Sequence, residues 1–225
     1  MAQTSSSSIR VLAAAVLALL AAAPARADTD LRGVPVGPKK APIALAAPKD
    51  LAAAVAVIEQ ATGARGEKLP VGDVPLADGR SFALEPSVAE RLLEGSHATF
   101  KKAGIYLFRY ERSFGMAGDK DQIGVIQTTD ANAIIRRVGT AGGRRPLTAD
   151  QLIAWLDALA KEEPFDLWEV GVDYIAGRFD RAPKDPVAVA NRCAEFAPDL
   201  VAGRASTLDL LATEIKTNRT LYLIW

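Results

Sequence analysis

The sequence predicts an α+β fold: a ferredoxin-like layer built on the split βαβ arrangement, with added helices and one added strand. Three observations lead to this class. Short β-rich runs recur in the C-terminal half, and helical repeats with capping residues separate them. From Ile123 onward the predicted order is strand, helix, strand, strand, helix, extra helix, strand. A signal peptide and a proline-rich linker are predicted to precede the layer.

The first 27 residues have the three-part pattern of a secretory signal peptide. Arg10 precedes an apolar run from Val11 to Ala23, and Ala25-Arg26-Ala27 precedes Asp28. The run is shorter than the roughly 20 residues that a helix needs to cross a bilayer. Cleavage after Ala27 is therefore predicted, with no transmembrane segment in the mature chain and a periplasmic or secreted location.

The domain organisation follows from composition. Residues 28–48 carry Pro35, Pro38, Pro42 and Pro48, which favour extended chain, so this segment is predicted to be a linker. Residues 49–225 are predicted to form a single domain, because about 200 mature residues can bury one core.

Charge and cysteine content exclude several kinds of partner and site. Removal of Arg10 and Arg26 leaves 25 basic against 27 acidic residues, so no general attraction to nucleic acid is expected. The single cysteine, Cys193, cannot form an internal disulfide. Because His97 is the only histidine and lies far from Cys193, no metal site is predicted. Nucleotide-binding motifs are absent, and no cofactor is predicted.

The predicted elements of the N-terminal half begin with a helix that Asp50 caps and Gly63 stops. The stretch up to Arg80 is rich in turn residues. Pro86 then starts either one helix or two short helices broken near Gly95. The β-rich runs at residues 105–110 and 123–128 are expected to form a long-looped hairpin.

In the C-terminal half, Asp130 is predicted to cap a short helix, and Thr148 with Gln151 forms a capping box. The alternating run 165–179 predicts two strands joined by a turn at 171–173. Pro198 closes the helix that follows. After a last helix, the apolar end 221–225 predicts a strand buried on both faces.

The segment RCAEFAPDL at residues 192–200 combines the cysteine with a helix end. Cys193 shares a helical face with Val189 and Phe196, which predicts a buried, unreactive thiol. His97 is predicted to be a surface residue rather than a general base, because no nucleophile motif accompanies it.

Two groups of polar residues are candidates for a ligand site. Asp173, Glu195 and Asp199 lie near predicted element ends, where two of them could converge as acid and base. Each also has an ordinary structural role: Asp173 in a turn, Glu195 on the solvated side of a helix, and Asp199 in the connector after Pro198. Arg144 and Arg145, in a glycine-containing loop before a helix, could hold an anion or belong to a plain connector.

The motifs LFRYERSFG, TTDANAIIRRVGT, LTADQLIAWLDAL, AEFAPDLV and LDLLATEIKTNRTLYLIW follow one another from about Leu92 to the end of the sequence. Together they resemble the bacterial family known as domain of unknown function 4253. In that family the helix end usually has a tyrosine and a cysteine where this chain has Ala194 and Ala197. Arg144-Arg145 replaces the usual Asn-Tyr. The resemblance implies a fold and no established activity.

Two hypotheses about a biochemical function follow from these observations, and a third possibility is a purely structural envelope protein that the proline-rich segment tethers. The first is an exported domain that binds a protein or a small-molecule ligand, because catalytic motifs are absent while core-building elements are complete. The alternative is a metal-independent acid/base enzyme that uses two of Asp173, Glu195 and Asp199.

Overall fold

The computed structural model describes residues 40–71, 74–113, 118–141, 147–201 and 207–225. These residues form helices and strands that confirm the α+β class, whereas the predicted signal peptide lies outside them. The helices are α1 Leu51–Thr62, α2 Pro86–Lys102, α3 Ala131–Val138, α4 Ala149–Glu162, α5 Pro186–Phe196 and α6 Leu208–Asn218, with a 3-10 turn at Pro198–Leu200. The strands are β1 Glu67–Val71, β2 Val74–Leu84, β3 Tyr106–Glu111, β4 Asp121–Ile126, β5 Phe165–Val170, β6 Tyr174–Phe179 and β7 Thr220–Ile224.

The strands form one mixed sheet in the order β1-β2-β4-β3-β5-β6-β7. Only the central pair, β3 and β5, is parallel, and the other neighbours are antiparallel. The predicted hairpins β3–β4 and β5–β6 are both present. The centre of the sheet therefore joins β3, from the first half of the chain, to β5, from the second half.

The ferredoxin-like topology is not confirmed. A split βαβ layer requires helical crossovers between parallel strands. Here α3 and α4 together connect β4 to β5, while α5 and α6 together connect β6 to its antiparallel neighbour β7. Two successive helices return the chain to the end of the sheet that it left, so the next strand runs in the opposite direction.

Helices cover both faces of the sheet and enclose two apolar cores. One core combines α1 and α2 with residues such as Phe82 and Leu107. The other combines helices α3 to α6 with Tyr106 and Phe108. Because side chains alternate along a strand, neighbouring residues of β3 enter opposite cores. Residues 106–109 of β3 are thus buried on both faces of the sheet, and the polar side chain of Arg109 must find partners inside the protein.

The stretch predicted to consist of turns contains the hairpin of β1 and β2. Its proline, glycine and aspartate residues hid the strand signal, since these residues are depleted in strands. Strand β1 lies at the edge of the sheet, a position where Pro70 is tolerated because its missing N–H faces away from the ladder.

Local capping signals give the helix ends correctly. Asp50 and Asp130 accept hydrogen bonds from the backbone N–H groups of Ala53 and Asn132. Thr148 forms the predicted capping box with Gln151. Thr207 caps α6 by accepting a hydrogen bond from the backbone N–H of Leu210.

Gly95 does not break α2, which is one continuous helix. The described end of the predicted linker lies across this helix: Ile43 N–H donates to the Arg91 carbonyl at 2.9 Å, and Ser96 Oγ donates to the Ile43 carbonyl at 2.7 Å. A Cβ atom at Gly95 would stand 2.2 Å from the Ile43 oxygen. The glycine therefore permits close approach of a strap, residues 41–45, which contacts the helix.

We expect Gly95→Ala to lower the free energy of unfolding by about 1–3 kcal/mol, because the new methyl group overlaps the strap. In a chain that lacks residues 1–48, the same substitution should instead raise it by about 1 kcal/mol through helix propensity. Urea unfolding of wild type and of Gly95→Ala, each with and without residues 1–48, measures the effect. Stabilisation in the full chain would contradict the strap contact.

Candidate functional site

The structure locates the three predicted carboxylates at one end of the C-terminal half. Asp173 is exposed in the turn between β5 and β6, as its turn prediction implied. Glu195 is exposed near the end of α5. Asp199 is half-buried in the 3-10 turn that follows. Arg144 and Arg145 lie outside the described residues.

Aromatic side chains link the segments that carry these carboxylates. Trp225 donates its backbone N–H to the Asp173 carbonyl at 3.0 Å. Its ring meets Phe196 edge-on at 6.1 Å between centroids, and Phe196 stacks on Trp155 at 4.4 Å. The turn, the end of α5 and the chain end therefore share one region. We call the six residues Trp155, Asp173, Glu195, Phe196, Asp199 and Trp225 the aromatic–acidic surface.

The Trp225 indole is the least satisfied polar group of this surface. Its Nε1 atom is buried and has no hydrogen-bond partner among the residues that the structure describes. A buried donor without an acceptor costs about 1–3 kcal/mol. The packing of Trp225 against Phe196 and its backbone bond to Asp173 hold the ring in this position despite that cost.

Cys193 is buried on the core face of α5, as predicted from its helical position. Burial raises the pKa of the Cys193 thiol to about 12, against an ordinary value of 9.0. The thiolate is the reactive form of cysteine, so burial and the raised pKa both suppress its chemistry. The segment at 192–200 is therefore a helix end and not a thiol site.

We expect native Cys193 to react with an aromatic disulfide reagent at pH 8 at least about a hundredfold more slowly than in the denatured chain. The absorbance of the released thiolate measures both rates. Comparable rates in the presence and absence of denaturant would show that the thiol is accessible in the native fold.

His97 is not a surface residue, contrary to the prediction, because its side chain is only 1% exposed. Nδ1 lies 2.6 Å from the Leu107 carbonyl oxygen, and Nε2 lies 2.9 Å from Asp166 Oδ2. Both ring nitrogens therefore face acceptors, an arrangement that the doubly protonated imidazolium satisfies by donating from both. Neither nitrogen is left to take a proton from a substrate, so the geometry disfavours a general base.

Asp166 joins His97 to Lys101, whose ammonium contacts the other carboxylate oxygen. Burial by itself would raise the pKa of Asp166, but the hydrogen bonds and charges of His97 and Lys101 outweigh it and hold the pKa below its ordinary value. The carboxylate is thus kept ionised by its contacts with His97 and Lys101. The sequence carried no signal for this group, since Asp166 is 69 residues from His97.

A second buried group centres on Arg109 of β3, whose side chain is 1% exposed. Its guanidinium lies 3.0 Å from Asp121, 3.1 Å from Glu169 and 3.0 Å from Glu90. Arg112 contacts both oxygens of Glu169. Burial alone would lower the pKa of Arg109, but the three carboxylates outweigh it and raise that pKa. This network ties α2, β3, β4 and β5 together.

The described residues contain no cluster of three or more histidine, cysteine, aspartate or glutamate side chains that could hold a metal ion. Within the same residues, no helix combines the length and the apolar character needed to cross a membrane.

Comparison with known proteins gives one result. A family model described as "Domain of unknown function (DUF4253)" matches residues 122–225. The match begins later than the predicted start near Leu92, so it includes β4 to β7 and excludes α1, α2 and the first strands. Neither the curated proteins nor the solved structures include a match to this chain. The segment 122–225, which carries the whole aromatic–acidic surface, thus matches the DUF4253 family, as its motifs predicted.

Proposed function

We propose that this protein is an exported binding protein whose aromatic–acidic surface takes a partner protein with cationic side chains. One observation carries the proposal: Trp225 contacts both Asp173 and Phe196, and so joins the acidic turn to the acidic end of α5. Export is supported by the signal-peptide pattern at residues 1–27.

Charge favours a cationic partner. Asp173 and Glu195 are exposed and Asp199 is half-buried, and these three carboxylates belong to the segments that Trp225 and Phe196 bring together. Carboxylates at the rim of an interface steer an oppositely charged partner and raise its association rate. Their contribution falls as salt is added, because screening acts strongly on exposed charges.

The aromatic residues favour a protein over a small ion. Trp155 and Phe196 are half-buried and stacked, so each keeps some ring surface exposed to solvent. Aromatic side chains of this kind anchor protein interfaces. Val172, beside Asp173, adds a 64% exposed apolar side chain. A partner segment that offers lysine or arginine next to apolar residues would complement both features.

Affinity capture with the tagged, processed protein from the cell envelope of its host tests the proposal. Glu195→Ala/Asp199→Ala should reduce recovery of the partner about tenfold or more, since it removes two of the three carboxylates that would attract a cationic partner. Asp180→Ala/Glu111→Ala removes two exposed carboxylates elsewhere and is the control. The proposal requires a partner that wild type and control retain, that the first variant loses, and that added salt releases. Equal recovery in all three would refute it.

The alternative function is acid/base catalysis by two of the same carboxylates. General acid catalysis by a carboxyl group usually depends on a water-poor environment, and the exposure of Asp173 and Glu195 does not provide one. Turnover that survives purification and disappears in Glu195→Ala/Asp199→Ala would support the enzyme over the binding protein. Anion binding by Arg144 and Arg145 stays a separate prediction.

A further inference from the structure

A cavity of about 460 Å³ lies away from the aromatic–acidic surface, between the end of α1 and the start of α2. Strands β1, β2 and β4 supply its remaining wall. Its size falls within the range of about 300–1,000 Å³ that is usual for small-molecule sites. Of its lining residues only Gln122 belongs to the segment that matches the family, so the cavity is a feature of the chain outside that segment.

Neutral hydrogen-bonding groups line part of the cavity. The hydroxyl of Ser81 is 2.7 Å from the hydroxyl of Tyr110, and the Ser81 residue is 6% exposed. Gln122 lies on the neighbouring strand β4, with its Oε1 atom 3.5 Å from Ser81 Oγ. An amide and a hydroxyl held in this way can fix the orientation of a polar ligand.

Two cations and two anions also line the cavity: Arg65 and Lys120, and Glu67 and Glu85. All four side chains are exposed, and none forms an ion pair or a side-chain hydrogen bond with another described residue. Opposite charges thus line one cavity without an ion pair between them. A ligand with one positive and one negative charge could pair with residues of both kinds. A ligand with a single charge would also be repelled by the two residues of like charge.

We propose that this cavity binds a small zwitterion, a molecule with one cationic amine and one carboxylate on a short polar scaffold. The amine would pair with Glu67 and Glu85, and the carboxylate with Arg65 and Lys120. Ser81 and Gln122 would hydrogen-bond the polar atoms between them. This site is distinct from the proposed partner surface, and either can fail without the other.

Calorimetric titration of the full processed chain tests the site. The probes are glycine, 4-aminobutanoate, 6-aminohexanoate and glutamine, each at up to about 10 mM, a range that detects millimolar dissociation constants. Butanoate and butylamine are matched probes that each carry one of the two charges. We expect saturable binding of at least one zwitterion, at least tenfold tighter than either single-charge probe.

Three variants locate the binding. Arg65→Gln/Lys120→Gln and Glu67→Gln/Glu85→Gln should each weaken binding of that zwitterion about tenfold or more, since each removes the partners of one ligand charge. Lys102→Gln, an exposed lysine of α2 outside the cavity, should leave it unchanged. The inference is overturned if no zwitterion binds, if butanoate or butylamine binds equally well, or if either double variant retains wild-type affinity.

Discussion

Replacement of Arg109 by methionine is expected to lower the free energy of unfolding by about 3–5 kcal/mol. Arg109 is buried between Glu90, Asp121 and Glu169, and its removal leaves their charges inside the protein with Arg112 as the remaining cation of the group. The cost of an uncompensated buried charge is the reason for the size of the effect. Urea unfolding at pH 7 measures the loss.

A matched substitution controls for the change of side chain. Arg136 forms an ion pair with Asp150 at 3.1 Å, but the two side chains are 54% and 81% exposed. Arg136→Met should therefore cost less than about 1 kcal/mol. If Arg109→Met does not fold, Glu90→Gln provides a milder test. The side chain of Glu90 is 27% exposed, and its substitution removes the charge of only one member of the network. Equal effects at positions 109 and 136 would contradict a structural role for the buried network.

Asp166→Asn is expected to lower stability by about 1–3 kcal/mol at pH 7, the cost of leaving hydrogen-bonded charged groups without their acceptor. His97 is buried against this carboxylate, and Lys101 contacts its other oxygen. The amide cannot accept from both with the same strength, because it has lost the negative charge and one of its two acceptor oxygens.

The contacts of Asp166 with His97 and Lys101 also predict how the free energy of unfolding depends on pH. The pKa of Asp166 is lower in the folded protein than its ordinary value of 3.8. Its contribution is therefore present above about pH 4 and is lost as the pH falls through the lower, folded pKa. The difference in stability between wild type and Asp166→Asn should shrink over that acidic range. Urea unfolding at several pH values would measure it, with exposed Asp180→Asn as a control expected to stay within about 0.5 kcal/mol. A difference that does not change with pH would contradict the ion pair.

Gly95 illustrates how a local signal can mark a special backbone position without indicating the role of that position. A glycine within a helical pattern predicted a break as one alternative, yet α2 continues through it. The absence of a side chain at Gly95 leaves room for the strap. Ile43 of the strap is 52 positions earlier in the chain, too far for a pattern of neighbouring residues to indicate the contact. Arg109 is similar: its β-rich run predicted a strand, but not the carboxylates of Glu90, Asp121 and Glu169 that surround the guanidinium.

The sequence by itself determined the α+β class, the capped helices, the β3–β4 and β5–β6 hairpins and the burial of Cys193, because these features depend on residues a few positions apart. The match of residues 122–225 to DUF4253 also followed from sequence motifs. The tertiary structure alone decided the strand order, the β1–β2 hairpin, the burial of His97 and the partners of Arg109. These depend on pairings between distant segments: Asp166 is 69 residues from His97, and Glu169 is 60 from Arg109. Which segments pair is set by how two helix layers and seven strands bury their apolar faces together, and no local pattern contains that information.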